Sequence, residues 1–127
     1  MPPSEAKRMR TKATTFRVSS VDETMEWYKR MLGWEAGKDA FDEEGNCTFG
    51  SVIYGYGQAI NLTRDKNPPD NYNVELMIDV LDVDGLYERT LKEGGKPLNR
   101  PKNETWGGRN FTIEDINGLT LTFVQLP

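Results

Sequence analysis

The chain repeats itself. Residues 18–33, VSSVDETMEWYKRMLG, lie over residues 80–95, VLDVDGLYERTLKEGG, at an offset of 62. Val18 falls on Val80, Val21 on Val83, Asp22 on Asp84 and Gly33 on Gly95. A second match, at an offset of 61, sets residues 57–62 over 118–123. Such a duplication constrains the fold more than composition does, because each copy must solve the same burial problem with the same elements.

Each copy begins with alternation and passes into helical spacing. Around residues 74–80, Val74, Leu76, Ile78 and Val80 alternate with Glu75, Met77 and Asp79, so aliphatics take one face of a strand and acids the other. Residues 13–18 do the same with Thr14, Phe16 and Val18 against Ala13, Thr15 and Arg17. Ser20 followed by Glu23 forms a capping box, and Val21, Met25, Tyr28 and Leu32 make one apolar stripe that Gly33 ends. In the second copy Asp82 is the expected cap, Val83, Leu86, Tyr87 and Leu91 the stripe, and Gly94–Gly95 the stop. Three short strands follow each helix, expected at 35–40, 47–54 and 58–63, then at 96–99, 109–114 and 120–125. GYG at 55–57 and DINGL at 115–119 read as hairpin turns.

The expected fold is therefore α+β, two βαβββ modules spanning 13–63 and 74–127. They are joined by a polar linker at 64–73 with two prolines, and residues 1–12 precede them as a basic tail. A chain of 127 residues suffices for one such domain. Each strand's aliphatic face needs a helix over it. The other face is polar and mixed, and can look at water, a metal or a ligand.

Charge narrows the partners. The tail holds Lys7, Arg8, Arg10 and Lys12 against Glu5, a net +3, which leaves −7 on the rest of a chain whose total is −4. An acidic body disfavours nucleic acid and favours a neutral or cationic small molecule. No apolar run is long enough to span a membrane, and none follows the basic start as a secretory signal would require. The single Cys47 allows no internal disulfide, in keeping with a reducing, cytoplasmic location. The N-x-[ST] matches at Asn46, Asn61, Asn103 and Asn110 then read as chance.

VSSVDETMEWYKRMLGW, IDVLDVDGLYERTLKEGG and WGGRNFTIEDINGLTLTF together resemble the vicinal oxygen chelate superfamily of glyoxalases, extradiol dioxygenases and fosfomycin- and bleomycin-resistance proteins. The resemblance covers about residues 13–125. It implies a half-open mixed β-barrel with helices packed outside and a pocket between the sheets. It also implies where a metal would sit in the family's enzymes: at Ala13, Asn61, Glu75 and Thr122 in this chain. Only Glu75 is a good ligand, Asn61 is a poor one, and the chain has no histidine, so no metal and no other cofactor is expected.

TWGGRNF resembles a stretch of the bleomycin-resistance members whose tryptophan lines a binding groove, which points to Trp106. The expected site has Trp106 and Tyr54 for stacking and Glu75 and Asp79 for charge, with Arg17, Asn61 and Met77 as wall and Arg17 placed to pair with either acid. Trp27, Trp34 and Phe16 are expected in the core. The resemblance implies metal-independent binding of a planar or cationic small molecule by a homodimer. The alternatives are an enzyme, with aberrant metal ligands or with Glu75 or Asp79 as a general base, and an interaction module without ligand.

Overall fold

The structure, a computed structural model, describes residues 4–127, so the first three residues of the basic tail lie outside it. The described part of the tail has one short 3-10 turn, Glu5–Arg8, with no buried residue. Strand β1 is Thr15–Val18, helix α1 Val21–Leu32, and β2, β3 and β4 are Glu35–Phe41, Cys47–Tyr54 and Gln58–Arg64. The second copy gives β5 Glu75–Asp79, α2 Val83–Lys92, β6 Lys102–Asn103, β7 Arg109–Glu114 and β8 Thr120–Gln125. Two four-stranded mixed sheets result, ordered β1-β4-β3-β2 and β5-β8-β7-β6, and they do not close into a barrel. In each the first strand lies parallel to the last, Thr15 beside Asn61 and Glu75 beside Thr120. The parallel pair forces a crossover, and the helix supplies it.

Local signals act where the sequence has them. The Ser20 hydroxyl accepts the Glu23 amide at 3.1 Å, and Gly33 ends α1 at φ 72°. Asp82 caps α2 by accepting the Gly85 amide at 3.0 Å. Val21, Met25 and Tyr28 are buried beneath α1 together with Phe16, Val18, Val52, Ile60 and Leu62. Phe111, Ile113, Leu121 and Phe123 continue the same core into the second module. At roughly 1.5–3 kcal/mol for each large aliphatic or aromatic side chain fully buried, this shared layer outweighs any single polar contact.

Two expectations fail. Leu91 is exposed, and Thr90 takes the buried position on α2. The helix continues Val83 and Tyr87 with residue 90 at i+7, and the Thr90 hydroxyl is satisfied locally by donating to the Tyr87 carbonyl at 2.7 Å. The strand expected at 96–99 is absent. Pro97 and Pro101 interrupt it, and regular pairing with β7 starts only at Lys102 opposite Asn110. The intervening chain still clings to β7, the Leu98 amide donating to the Thr112 carbonyl and Asn99 Oδ1 accepting the Thr112 amide.

The modules are pinned together beside the helices. Tyr28 on α1 donates to Asp115 in the β7–β8 turn at 2.7 Å, and Asn117 in that turn donates to Thr24 Oγ1 at 2.9 Å. Arg89 on α2 donates to the last carbonyls of α1, those of Lys29 and Arg30. Tyr72 donates to the Arg17 carbonyl and meets Phe16 edge-on.

Candidate functional site

Gly33 turns the chain out of α1 and delivers Trp34 to the end of the first sheet. The indole is sandwiched. Tyr28 covers one face with ring centroids 5.1 Å apart, and Tyr54, at the end of β3, covers the other at 4.0 Å and an interplanar angle of 16°. Trp34 therefore offers its edge. Tyr54 keeps one face that no other ring covers among the described residues. Across the hairpin Tyr54 pairs with Gln58.

This stack forms one wall of a cleft of about 370 Å³ at the seam between the modules. The opposite wall is the edge strand β5, which contributes Met77 and Asp79, and Ile78, Leu86 and Phe123 make an apolar floor. The Val80 amide donates to the Val124 carbonyl, so alternate β5 residues turn their amides to β8, and those of Met77 and Asp79 face away from it. A neighbouring cleft of about 510 Å³ shares Leu32, Trp34, Tyr54 and Gly55 and is bounded by Glu35 and Ile53. Both clefts mix aromatic and aliphatic side chains with polar groups, so a ligand there meets flat apolar surface and hydrogen-bonding atoms together.

The seven residues singled out in the sequence go to different places. Tyr54, Met77 and Asp79 meet in the seam cleft. Glu75 lies on the open face of the second sheet, where its Oε2 accepts from Thr122 Oγ1 at 3.1 Å. Asn61 lies mid-sheet between Thr15 and Ser51, on the face opposite the buried Ile60 and Leu62. Arg17 is 3.8 Å from Asp65, and this exposed contact replaces the expected pairing with Glu75 or Asp79. Trp106 is 55% exposed in the turn before β7, its ring laid over Gly108 so closely that a Cβ there would fall 2.1 Å from the indole.

Trp34, which packs against the core as expected, also lines the cleft, and it and Gln58 are among the cleft residues not named for the site from sequence. The one available signal for Trp34 was its place just after the helix-ending Gly33, which carries it past the buried stripe.

The residues at the family's metal positions do not fit a divalent ion. Glu75 is engaged by Thr122, whose hydroxyl is also 2.8 Å from that of Thr112, so neutral hydroxyls stand where imidazoles or carboxylates would be needed. Ala13 has no donor side chain, and Asn61 offers only a neutral amide, a poor ligand. Among the described residues no three His, Cys, Asp or Glu side chains are grouped closely enough to hold a metal.

Comparison with known proteins agrees with this architecture. No curated protein sequence matches the chain. Among solved structures, a glyoxalase-related enzyme from Clostridium phytofermentans superposes with a TM-score of 0.77 at 21% identity, covering 94% of this chain and 96% of that one. TioX from Micromonospora sp. ML1 gives 0.73 at 18% identity, with 92% and 100% covered. A glyoxalase/bleomycin resistance protein/dioxygenase from Nocardioides gives 0.71 at 16%, with 93% and 85% covered. At these identities the likeness concerns the fold. No helix among the described residues is long and apolar enough to cross a membrane. The family model for the glyoxalase/bleomycin resistance protein/dioxygenase superfamily matches residues 10–123, and the chain belongs to that superfamily.

Proposed function

We propose that this chain is a metal-independent small-molecule binding protein of the bleomycin-resistance type, which sequesters a flat, cationic ligand in the seam cleft. One observation carries the reading: Tyr54, stacked on Trp34, and the acidic Asp79 line the same cleft together with Ile78, Leu86 and Phe123. A planar ligand adds a fourth layer to the Tyr28–Trp34–Tyr54 stack, and Asp79 supplies the counter-charge. Glu75 and Asp79 are both exposed, without the desolvated setting that a general base needs, which favours binding over catalysis.

The working form is a homodimer in the cytoplasm. Among the described residues the β1 and β5 edges have no strand partner, and β5 carries exposed Met77 and Glu75, so a two-fold copy has an unpaired edge and a polar sheet face to engage. Light scattering on the purified protein tests this, with a single-chain mass of 14.5 kDa overturning it.

Titration of tryptophan fluorescence with N-methylquinolinium, a flat cation, tests the site. Saturable quenching is expected, unchanged by chelator. Asp79→Asn weakens binding by roughly two- to fivefold, the range expected for one exposed charge contact. The flat anion naphthalene-2-sulfonate binds more weakly. Equal affinity for both probes, or binding that needs added metal, would overturn the reading.

A further inference from the structure

The β3–β4 hairpin tip is Gly55-Tyr56-Gly57, closed by the Tyr54–Gln58 pair. Tyr56 is fully exposed, at 107% of its reference area, so its ring rests on nothing. Both flanking glycines have positive φ, 57° at Gly55 and 89° at Gly57. Around Gly57 there is open space, since a Cβ there would meet nothing within 4 Å. The glycine serves the backbone conformation, and no neighbour crowds the tip.

The position matters more than the exposure. A lone exposed aromatic is ordinary on a protein surface. Here Gly55 and Gln58 line the seam cleft, and Gly55 and Gly57 line its neighbour. Successive Cα atoms are about 3.8 Å apart, so the tyrosine springs from between wall residues while its own side chain lines neither cleft. The phenol ring turns on two rotatable side-chain bonds and brings a large rigid surface at low entropic cost.

We infer that Tyr56 is a ligand-binding residue, an aromatic flap that folds from the hairpin tip onto a planar ligand seated on Tyr54 and holds it between two phenol rings. The inference rests on the reading of the seam cleft as the binding site. It assigns the site to ligands with two accessible flat faces. Compounds with one face blocked by a bulky out-of-plane substituent are excluded.

The test uses the full chain with N-methylquinolinium as probe and stopped-flow fluorescence as readout. Tyr56→Ala should raise the dissociation rate by roughly three- to tenfold, the range expected for one aromatic pair, with little change in association rate. Tyr56→Phe should retain the wild-type rate. Because the side chain touches nothing, neither variant should shift the melting temperature. In protein labelled with 3-fluorotyrosine, the resonance assigned to Tyr56 through Tyr56→Phe should move on probe addition. A wild-type dissociation rate in Tyr56→Ala, or an unmoved resonance, overturns the flap and leaves the cleft standing. Failure of the wild-type protein to bind the probe overturns both.

Discussion

The Tyr28 hydroxyl donates to Asp115 Oδ2 at 2.7 Å, joining the first module's helix to the second module's hairpin through two buried side chains 87 residues apart in sequence. Asp115 Oδ1 is held as well, accepting the amides of Asn117 and Leu119 at 2.8 and 2.9 Å. The hairpin turn is thereby shaped by the same carboxyl group that docks it on α1. Burial pushes the Asp115 carboxyl above its ordinary range, against the pull of these hydrogen bonds. Burial, with the nearby Asp115 charge second, holds the Tyr28 hydroxyl well above its ordinary value, so it remains a donor at any physiological pH.

Replacing Tyr28 by Phe removes the donor and leaves the carboxylate buried. The expected cost is about 1–3 kcal/mol at neutral pH, read by urea unfolding. The sign of its pH dependence follows from the raised carboxyl. A folded-state value above the unfolded one means that the native chain holds the proton to higher pH, so this group's stability contribution falls as pH rises through the folded value. Loss of Tyr28 raises that value further. The gap between variant and wild type should be widest at neutral pH and should narrow in acid, as Asp115 becomes protonated in both. A gap that widens in acid contradicts this account.

Gly33 and Arg89 form a second joint. Gly33 has φ 72°, and a Cβ there would lie 3.2 Å from Arg89 Nη1. The same guanidinium donates to the Lys29 and Arg30 carbonyls at 3.3 and 3.4 Å, a cation on the negative end of α1. Gly33→Ala should cost about 1–2 kcal/mol for the left-handed backbone alone, with a further loss if Arg89 is displaced. In a double-mutant cycle with Arg89→Ala, the combined loss should be smaller than the sum of the single losses, because the two changes disturb one contact. Strict additivity would mean that alanine leaves the guanidinium where it is.

How much of this was legible beforehand follows the range of the interactions involved. Ser20, Asp82 and Gly33 act within four residues, and their roles were readable from spacing alone. The placement of Leu91 and Thr90 was not, because a ten-residue helix leaves its stripe open to a rotation that only the neighbouring sheet fixes. Pro97 and Pro101 were visible, and given their due weight they would have moved the start of β6 to Lys102. The site was harder. Alternation correctly set Glu75 and Asn61 apart from the aliphatic face, but alternation is blind to distance across the molecule. It could not separate Glu75, tied to Thr122, from Asp79 at the seam, nor send Arg17 to Asp65. Trp34 packs against the core as its place after a helix stop suggests, and only the stacking of Tyr28 and Tyr54 on it shows that it also reaches the cleft.

The hydroxyl chain on the second sheet makes a prediction about metals. Thr112, Thr122 and Glu75 form one hydrogen-bonded row, so Glu75 has a neutral partner already in place. Manganese, zinc or magnesium should not raise the melting temperature. Glu75→Gln should shift it by little, since an amide still accepts from Thr122 on an exposed face. A metal-dependent rise that Glu75→Gln abolishes would show that the carboxylate is recruited as a ligand despite its hydroxyl partner.

Trp106 depends on a neighbour with no side chain. The turn that presents it is closed by the Glu104 amide on the Gly108 carbonyl at 2.7 Å and the Gly107 amide on the Glu104 carbonyl at 3.1 Å. Gly107 takes φ 98° to complete it. The indole then lies on the Gly108 backbone, in contact a methyl group cannot share. Gly108→Ala should force the ring off the turn, while β7, which begins at Arg109 and is anchored by the Arg109–Asp84 ion pair at 2.8 Å, keeps its register. The expected signature is a red-shifted, more quenchable tryptophan emission with a stability loss of about 1 kcal/mol, modest because a half-exposed ring gives up little buried area. Trp106→Phe in the same background separates the cases. If the emission change survives that replacement, it comes from Trp27 or Trp34, and the contact between Trp106 and Gly108 does not set the loop.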